Sequence, residues 1–474
     1  MKICVILEGC YPYVTGGVSS WMHQYIQAMP QHEFVIWAIG ASSEDRGKFK
    51  YELPENVTEI HEVFLNDAMS MSSGKRKYRF SEEEMAAFRE LINCRRPDWE
   101  TLFALFQDKK ISPMKFLTSE EYLEILTTIC LEEYPYTAFS DLYHTVRSMM
   151  YPLLYLMQTE VPQADLYHSI ATGYAGVLAR LGSYRYHVPY LITEHGIYTR
   201  EREEEIIRAD WVQAAFKRFW VRFFYMLSSA AYDRASMVTS LFERAMKTQI
   251  EMGCLAEKCR FISNGVRYER FCNIPPKEAD GFIDIGAVLR IAPIKDVKTL
   301  IYAFSEVKQR VPKARLWICG PEDDKEYAQE CYDLAESLGT ADIHFTGPIN
   351  VLEWLGKFDF TILTSISEGQ PLAVIESFAA GRPCVTTDVG SCKELLEGST
   401  EDELGLAGYY APPMHRQGLA EAMVKMCADS EERLQMGVTA RKRAELYFRH
   451  EDMIQKYLET YDEVFRRWRE SDFH

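Results

Sequence analysis

Two carboxylates, Glu368 and Glu376, stand eight positions apart in the stretch Ser367-Glu-Gly-Gln-Pro-Leu-Ala-Val-Ile-Glu376. An apolar strand pattern, Phe360 to Thr364, ends just before it, and a helical pattern begins within it. Pro371 suits the first helical turn, where a missing N–H costs nothing. The backbone amides of Gly369, Gln370, Leu372 and Ala373 then gather at a helix N-terminus, where unsatisfied N–H groups and the helix dipole favour a phosphate. One carboxylate falls on the loop and the other inside the helix, both suited to a hydroxyl-rich ligand.

Two cations belong with this group. Arg290 ends the apolar run Phe282 to Leu289, and Lys295 follows five residues later, just before a helix expected to begin near Asp296. In open parallel sheets ligands bind at the carboxyl ends of strands, so these two side chains are placed to hold a diphosphate. Near the start of the chain, Tyr13-Val-Thr-Gly-Gly-Val18 supplies Gly16 and Gly17 after a first strand, where glycine lets a ligand approach the backbone. Thr193-Glu-His-Gly196 ends another strand and brings His195 to the same end of its sheet.

The elements that must position these residues alternate between strand and helix. Lys2 to Leu7, Glu33 to Ile39, Leu166 to Ser169, Pro189 to Thr193 and Met237 to Thr239 read as buried parallel strands. Between about residues 66 and 162 this pattern gives way to charged, periodic helices such as Ser81 to Asn93 and Ser119 to Leu131, an insertion of roughly ninety residues. After Pro275-Pro276 the alternation resumes with Phe282 to Leu289, Ala314 to Cys319, Ile343 to Thr346, Phe360 to Thr364 and Pro383 to Thr386. The expectation is an α/β chain with one Rossmann-like domain over 1–275, a second over 276–449, and a closing helix over 450–474 that packs back on the first domain.

Composition narrows the function. With 474 residues, 47% of them hydrophobic and 26% charged, the chain has enough apolar material for two cores. No apolar run is long enough to span a bilayer, and Glu8 interrupts the first one too early for a secretory signal. The twelve cysteines show neither a CxxC pair nor a His-rich spacing, which fits reduced thiols in the cytoplasm. A net charge of −17 argues against a nucleic-acid partner and requires any polyanion site to be local.

The pair Glu368 and Glu376 with its Gly-Gln-Pro core, followed by Ala379-Ala-Gly-Arg-Pro383, resembles the E-x7-E signature of retaining glycosyltransferases of family 4, which have the GT-B fold of two Rossmann-like domains facing across a cleft. The resemblance implies that Glu368 binds donor-sugar hydroxyls, Glu376 the ribose hydroxyls, and Arg290 with Lys295 the diphosphate. It also implies that Gly16 and Gly17 sit beside the donor phosphate and acceptor, and that His195 contacts the donor sugar near the reacting bond. The family often has glycine where this chain has Asp296. Ser263-Asn-Gly-Val266 and Cys319-Gly-Pro321 match further landmarks without an assigned role. No Asp-x-Asp pair stands at a strand end, since Asp323-Asp324 falls at a charged helix start, so no metal and no cofactor besides the UDP-sugar substrate is expected.

The opening Ile6 to Trp21, the helical insertion and Thr193 to Arg202 together resemble the cytoplasmic glycosyltransferases of bacterial exopolysaccharide synthesis, implying a UDP-hexose donor, a glycan acceptor and membrane-embedded partner proteins that recruit the enzyme to the inner membrane face. Two rivals stand beside this reading: a nucleotide-sugar epimerase or a phosphorylase on the same fold, and a non-catalytic module that senses UDP-sugar. The basic, aromatic stretch Lys217 to Leu227 has two readings, a core helix of the first domain or a face that docks a membrane-bound partner.

Overall fold

The computed structural model describes residues 1–70, 78–399 and 402–471. The chain forms two units, one of Met1–Ser240, Met246–Phe261 and Leu458–His474, the other of Leu241–Ala245 and Ile262–Tyr457. The change of unit at Ile262 precedes Pro275-Pro276, because Val266, Tyr268 and Phe271 are buried with Phe378, Ala440 and Ala444 in a core of the second unit.

In the first unit β1 (Lys2–Glu8), β2 (Glu33–Gly40), β3 (Val57–Phe64), β4 (Leu166–Ser169), β5 (Tyr190–Glu194), β6 (Met237–Ser240) and β7 (Cys259–Phe261) form one parallel sheet, ordered β3-β2-β1-β4-β5-β6-β7. In the second, β8 (Ile283–Val288), β9 (Ala314–Cys319), β10 (Ile343–Gly347), β11 (Phe360–Leu363), β12 (Cys384–Thr387) and β13 (Gly408–Ala411) are ordered β10-β9-β8-β11-β12-β13, again parallel. Each sheet winds outward from its first strand in one direction and then in the other. The reversal leaves a crevice at the carboxyl ends of β1 and β4, and another at β8 and β11, the places where doubly wound sheets hold ligands. Ile3 to Leu7 of β1 form a continuous apolar run because both faces of the strand are buried.

Three strands went unread in the sequence. β3 is an edge strand whose sequence, Val-Thr-Glu-Ile-His-Glu-Val-Phe, carries charges on its exposed face, and β7 and β13 have only three and four residues. Edge strands tolerate polar side chains, which removes the apolar run used to detect them.

The insertion is helical: Glu82–Ile92, Trp99–Phe103, Glu120–Glu133 and Phe139–Gln158 pack into the same core as the first sheet. Residues 71–77 of the expected insertion lie outside the described residues. Ser81 begins the first of these helices through a capping box with Glu84, with Ser81 Oγ accepting from the Glu84 N–H at 3.2 Å and Glu84 Oε2 accepting in return at 2.8 Å.

The closing helix runs His450–Ser471, and its residues from Leu458 onward belong to the first unit. There the Tyr25 hydroxyl donates to Tyr461 Oη at 2.6 Å, and His168 Nδ1 lies 2.7 Å from the same hydroxyl. Arg260 pairs with both oxygens of Glu463 at 2.5 and 2.7 Å.

The apolar face of the helix Lys217–Arg234 packs into the core of the first unit. Phe219, Trp220, Phe223, Phe224, Met226 and Leu227 are all buried. Lys217 Nζ donates to the Ile207 carbonyl at 2.6 Å and Arg222 to Glu133 at 2.7 Å, so two of the three basic side chains are engaged within the unit. No helix among the described residues is long and apolar enough to cross a membrane.

Candidate functional site

In the second unit the loop after β8 and the loop after β11 meet. The Ile366 N–H donates to the Ile294 carbonyl at 2.8 Å, and the Thr364 hydroxyl donates to the Lys295 carbonyl at 2.8 Å. This places Lys295 beside Glu368, and their ammonium and carboxylate form a direct ion pair. With side chains only 16% and 12% exposed, the pair is shielded enough for its charges to interact more strongly than a surface pair. Glu368 Oε1 also accepts from the Ser365 hydroxyl at 2.5 Å.

Asp296, where the resembled family often has glycine, adopts φ 47° and ψ 49°. This is the left-handed region, favourable to glycine and tolerated by aspartate. The Asp296 side chain also caps the helix Val297–Arg310 by accepting from the Thr299 N–H at 3.4 Å, so the substitution keeps the turn.

Arg290 lies apart from the Lys295 pair in its bonding. It is about half exposed and ion-paired with Asp323, while Asp324 caps the next helix by accepting from the Tyr327 N–H at 3.0 Å. The two aspartates are thus occupied by a cation and a helix N-terminus.

The helix after the loop runs Leu372–Ala379 with Pro371 as its N-cap, one position before the first-turn place expected for it. The N–H groups of Val374 and Ile375 bond back to the Pro371 carbonyl, leaving those of Leu372 and Ala373 as the open donors of the first turn. Gln370 turns elsewhere. Its Oε1 accepts from the Asn264 N–H at 2.6 Å and its carbonyl accepts from Asn264 Nδ2 at 3.2 Å, so its side chain braces the Ser263-Asn-Gly segment.

Glu376, one turn into the helix, has a carboxyl with no hydrogen-bond partner among the described residues. Burial pushes its pKa up from 4.5 to about 7, with Arg270 pulling weakly the other way. An acceptor-rich, poorly solvated group of this kind is completed by donors from a ligand.

Three residues that shape this site had little or no role in the sequence reading. Gly390 has φ +54°, and a Cβ there would lie 2.2 and 2.3 Å from the carbonyl oxygens of Glu368 and Gly369. Its neighbour Ser391 donates its N–H to the Gly369 carbonyl at 2.9 Å, while its hydroxyl is buried without a partner. Gly320, within the Cys319-Gly-Pro321 landmark, has φ +152° and would place a Cβ 1.8 Å from the Leu289 carbonyl, so glycine is required for β9 to approach the Arg290 turn. Only the Asp-Val-Gly-Ser run after a strand hints at Gly390 in the sequence; the contact is long-range.

In the first unit the helix Gly17–Gln27 follows the glycine loop. Gly16 is extended, with φ 173°, and a Cβ on Gly16 or Gly17 would meet nothing within 4 Å. Neither glycine is demanded by packing or backbone conformation, so the space above this helix start is open for a ligand to approach.

His195 follows β5, its ring 4.5 Å from that of Trp21 in an edge-on contact. Nε2 is buried with no hydrogen-bond partner, and burial lowers the pKa to about 4, so the imidazole is neutral near pH 7. The preceding Glu194 is buried and held by Tyr232 at 2.5 Å, Gln249 at 2.8 Å and Thr172 at 3.2 Å, which fixes the end of β5. Glu8, at the carboxyl end of β1, accepts from the Tyr198 hydroxyl at 3.1 Å and the Ala175 N–H at 3.3 Å. It too belongs to this crevice, and its interruption of an apolar strand was its only signal in the sequence.

Comparison with known proteins bears on the fold and the family. Residues 283–429 match the family described as Glycosyl transferases group 1. N-acetyl-alpha-D-glucosaminyl L-malate synthase of Bacillus anthracis is 29% identical over 175 residues, 36% of this chain and 43% of its own. A Campylobacter jejuni N,N'-diacetylbacillosaminyl-diphospho-undecaprenol alpha-1,3-N-acetylgalactosaminyltransferase is 27% identical over 155 residues, 32% of this chain and 38% of its own. The chain therefore spans about two fifths of the length of these relatives. Among solved structures, Anabaena HepE in complex with UDP and glucose aligns with a TM-score of 0.58 at 15% identity, over 97% of this chain and 99% of its own. Sucrose-phosphate synthase from Thermosynechococcus elongatus gives 0.60 at 15% identity, over 98% and 100%. At this identity the likeness concerns the fold, which is GT-B, with two Rossmann-like units. Residues 1–257, more than half of the sequence, match the family described as Domain of unknown function (DUF3492); the chain belongs to that family and carries a Glycosyl transferases group 1 domain in its second unit.

Proposed function

We propose that this chain is a retaining glycosyltransferase that moves a hexose from a UDP-sugar, UDP-glucose first among candidates, to a growing exopolysaccharide or another glycan. The observation that carries the reading is the junction of the β8 and β11 loops, where Lys295 pairs with Glu368 and the helix bearing the open amides of Leu372 and Ala373 begins four residues after Glu368. A diphosphate needs cations and N–H donors, and a sugar needs a carboxylate beside them; this junction brings such groups together in one strand-to-helix turn.

Lys295, Arg290 and the helix N-terminus take the diphosphate, Glu368 the donor-sugar hydroxyls and Glu376 the ribose. The acceptor hydroxyl attacks the anomeric carbon on the face from which UDP departs. Its oxygen forms the new glycosidic bond, the bond from carbon to the β-phosphate oxygen breaks, and the proton passes to that phosphate oxygen. Positive charge already fixed around the diphosphate stabilises the leaving group without reorganisation, and positioning supplies the rest of the acceleration. His195, neutral and with an unpaired Nε2, is assigned to a sugar hydroxyl rather than to charge neutralisation. Gly16 and Gly17 leave room for the donor phosphate and the acceptor.

The chain's opening segment, insertion and Thr193 to Arg202 resemble PelF, the cytoplasmic transferase of Pel exopolysaccharide synthesis, which supports a polymer acceptor and membrane-embedded partners. The decisive experiment is calorimetric titration with UDP of the wild type and of Arg290→Glu/Lys295→Glu. Binding by the wild type and its loss in a folded double variant are expected; equal affinity in both removes the diphosphate assignment.

A further inference from the structure

The first unit contains a cavity of about 280 Å3 whose lining includes Arg95, Arg96, Trp99, Arg180, Tyr232 and Asp233. Asp233 precedes β6, and Gly253 and Leu255, also in the lining, precede β7. The cavity therefore lies toward the amino ends of these strands, whereas His195 follows the carboxyl end of β5.

Arg180 is buried, at 5% exposure. Its Nη1 donates to the Ala230 carbonyl at 3.0 Å and lies 3.2 Å from Asp233, and its Nη2 donates to both oxygens of Glu100 at 2.9 and 3.2 Å. Its Nε–H, equally buried, has no partner. A buried donor left unpaired is costly.

Two more guanidinium groups reach the same cavity from a single loop. Cys94 adopts φ 53°, a left-handed turn that directs the loop, while Arg95 and Arg96 are exposed. The carboxylates nearest Arg95, those of Glu90 and Glu133, stand 4.0 and 3.9 Å away, beyond hydrogen-bonding distance. Arg96 has no ion pair among the described residues. Three arginines thus converge on the cavity: Arg180 is held by Glu100 and Asp233, Arg95 faces Glu90 and Glu133 across about 4 Å, and Arg96 is left without an ion pair among the described residues.

We propose that this cavity binds the phosphate group of a small anion. Planar guanidinium forks match phosphate oxygens in pairs; Arg96 keeps its fork free to do so, and Arg95 is held only by carboxylates beyond hydrogen-bonding distance. A volume of about 280 Å3 has room for a phosphate with a small substituent. A soluble phosphate ester and a phospholipid headgroup present the same chemistry, and the test separates them.

The probe is inorganic phosphate, added to the full chain against chloride at equal ionic strength, with thermal unfolding as the readout. The wild type is compared with Arg95→Gln/Arg96→Gln, whose positions are exposed and outside the proposed transfer site. Comparing the two cancels phosphate taken up elsewhere. Circular dichroism and melting in chloride check that the variant folds, and Arg96→Gln alone serves if the double variant does not. Phosphate should raise the wild-type melting temperature, and the variant's phosphate affinity should fall at least about tenfold. No phosphate response, or the same response in both proteins, overturns the proposal. Flotation with phosphatidylglycerol vesicles then identifies the source. Capture of the wild type but not the variant assigns the site to a lipid headgroup, and no capture with the phosphate response intact assigns it to a soluble phosphate compound.

Discussion

Glu376 should make nucleotide binding strongly pH-dependent. Its pKa is pushed up from 4.5 to about 7 by desolvation of the partly buried carboxyl, with Arg270 acting the other way. If the ionised carboxylate is the form that accepts the ribose hydroxyls, about nine tenths of the protein is competent at pH 8 and about one tenth at pH 6. The UDP dissociation constant should then rise about tenfold between these values, or about 1.4 kcal/mol. Near pH 7, binding should release about half a proton per site, measurable by calorimetry in buffers of different ionisation enthalpy. UDP's own phosphate titrates in this range, so Glu376→Gln is the reference that shares the ligand's titration and lacks the protein's. The raised pKa also fixes the sign of a stability effect. The folded state holds this proton more tightly, so the group's contribution is fully present below 4.5 and is lost as pH rises through about 7, an effect of about 3 kcal/mol. Glu376→Gln should therefore stabilise the ligand-free protein at pH 8 while weakening UDP binding. An identical pH profile of UDP affinity in wild type and Glu376→Gln would refute the reasoning.

Glu368→Ala should impair use of UDP-sugar while UDP affinity holds or rises, because removing the carboxylate frees Lys295 for the diphosphate; isothermal titration with UDP, alongside donor turnover, checks both halves. Gly390→Ala should displace the loop at Glu368 and Gly369, since its Cβ would fall 2.2 Å from a carbonyl oxygen at φ +54°, costing of order 1–3 kcal/mol in denaturant unfolding and weakening donor binding together. Turnover, once an acceptor is found, should survive EDTA, because fixed protein charge is assigned to the leaving diphosphate; a loss restored by magnesium or manganese would place a metal in the reaction.

Much of this architecture was legible because it rests on local patterns. Parallel strands buried on both faces are rich in apolar and aromatic residues, so β1, β4 and β9 stood out with nearly the observed bounds, as did the helix started by Ser81 and the closing helix from His450. The Glu368 loop was legible for the same reason: glycine, proline and spaced carboxylates announce a strand-to-helix turn within ten residues. What tertiary structure alone decided were relations between distant segments. These are the pairing of Lys295 with Glu368, the use of Gln370 as a brace for Asn264, the need for Gly390 beneath the Glu368 carbonyl, and the burial that raises Glu376. The basic margin of Lys217–Arg234 belongs with them, because only folding brings Glu133 to Arg222 and the Ile207 carbonyl to Lys217. Periodicity and turn chemistry act over a few residues and are written in sequence. Burial, close approach and charge pairing depend on which segments the sheet order brings side by side, which no short stretch of sequence carries.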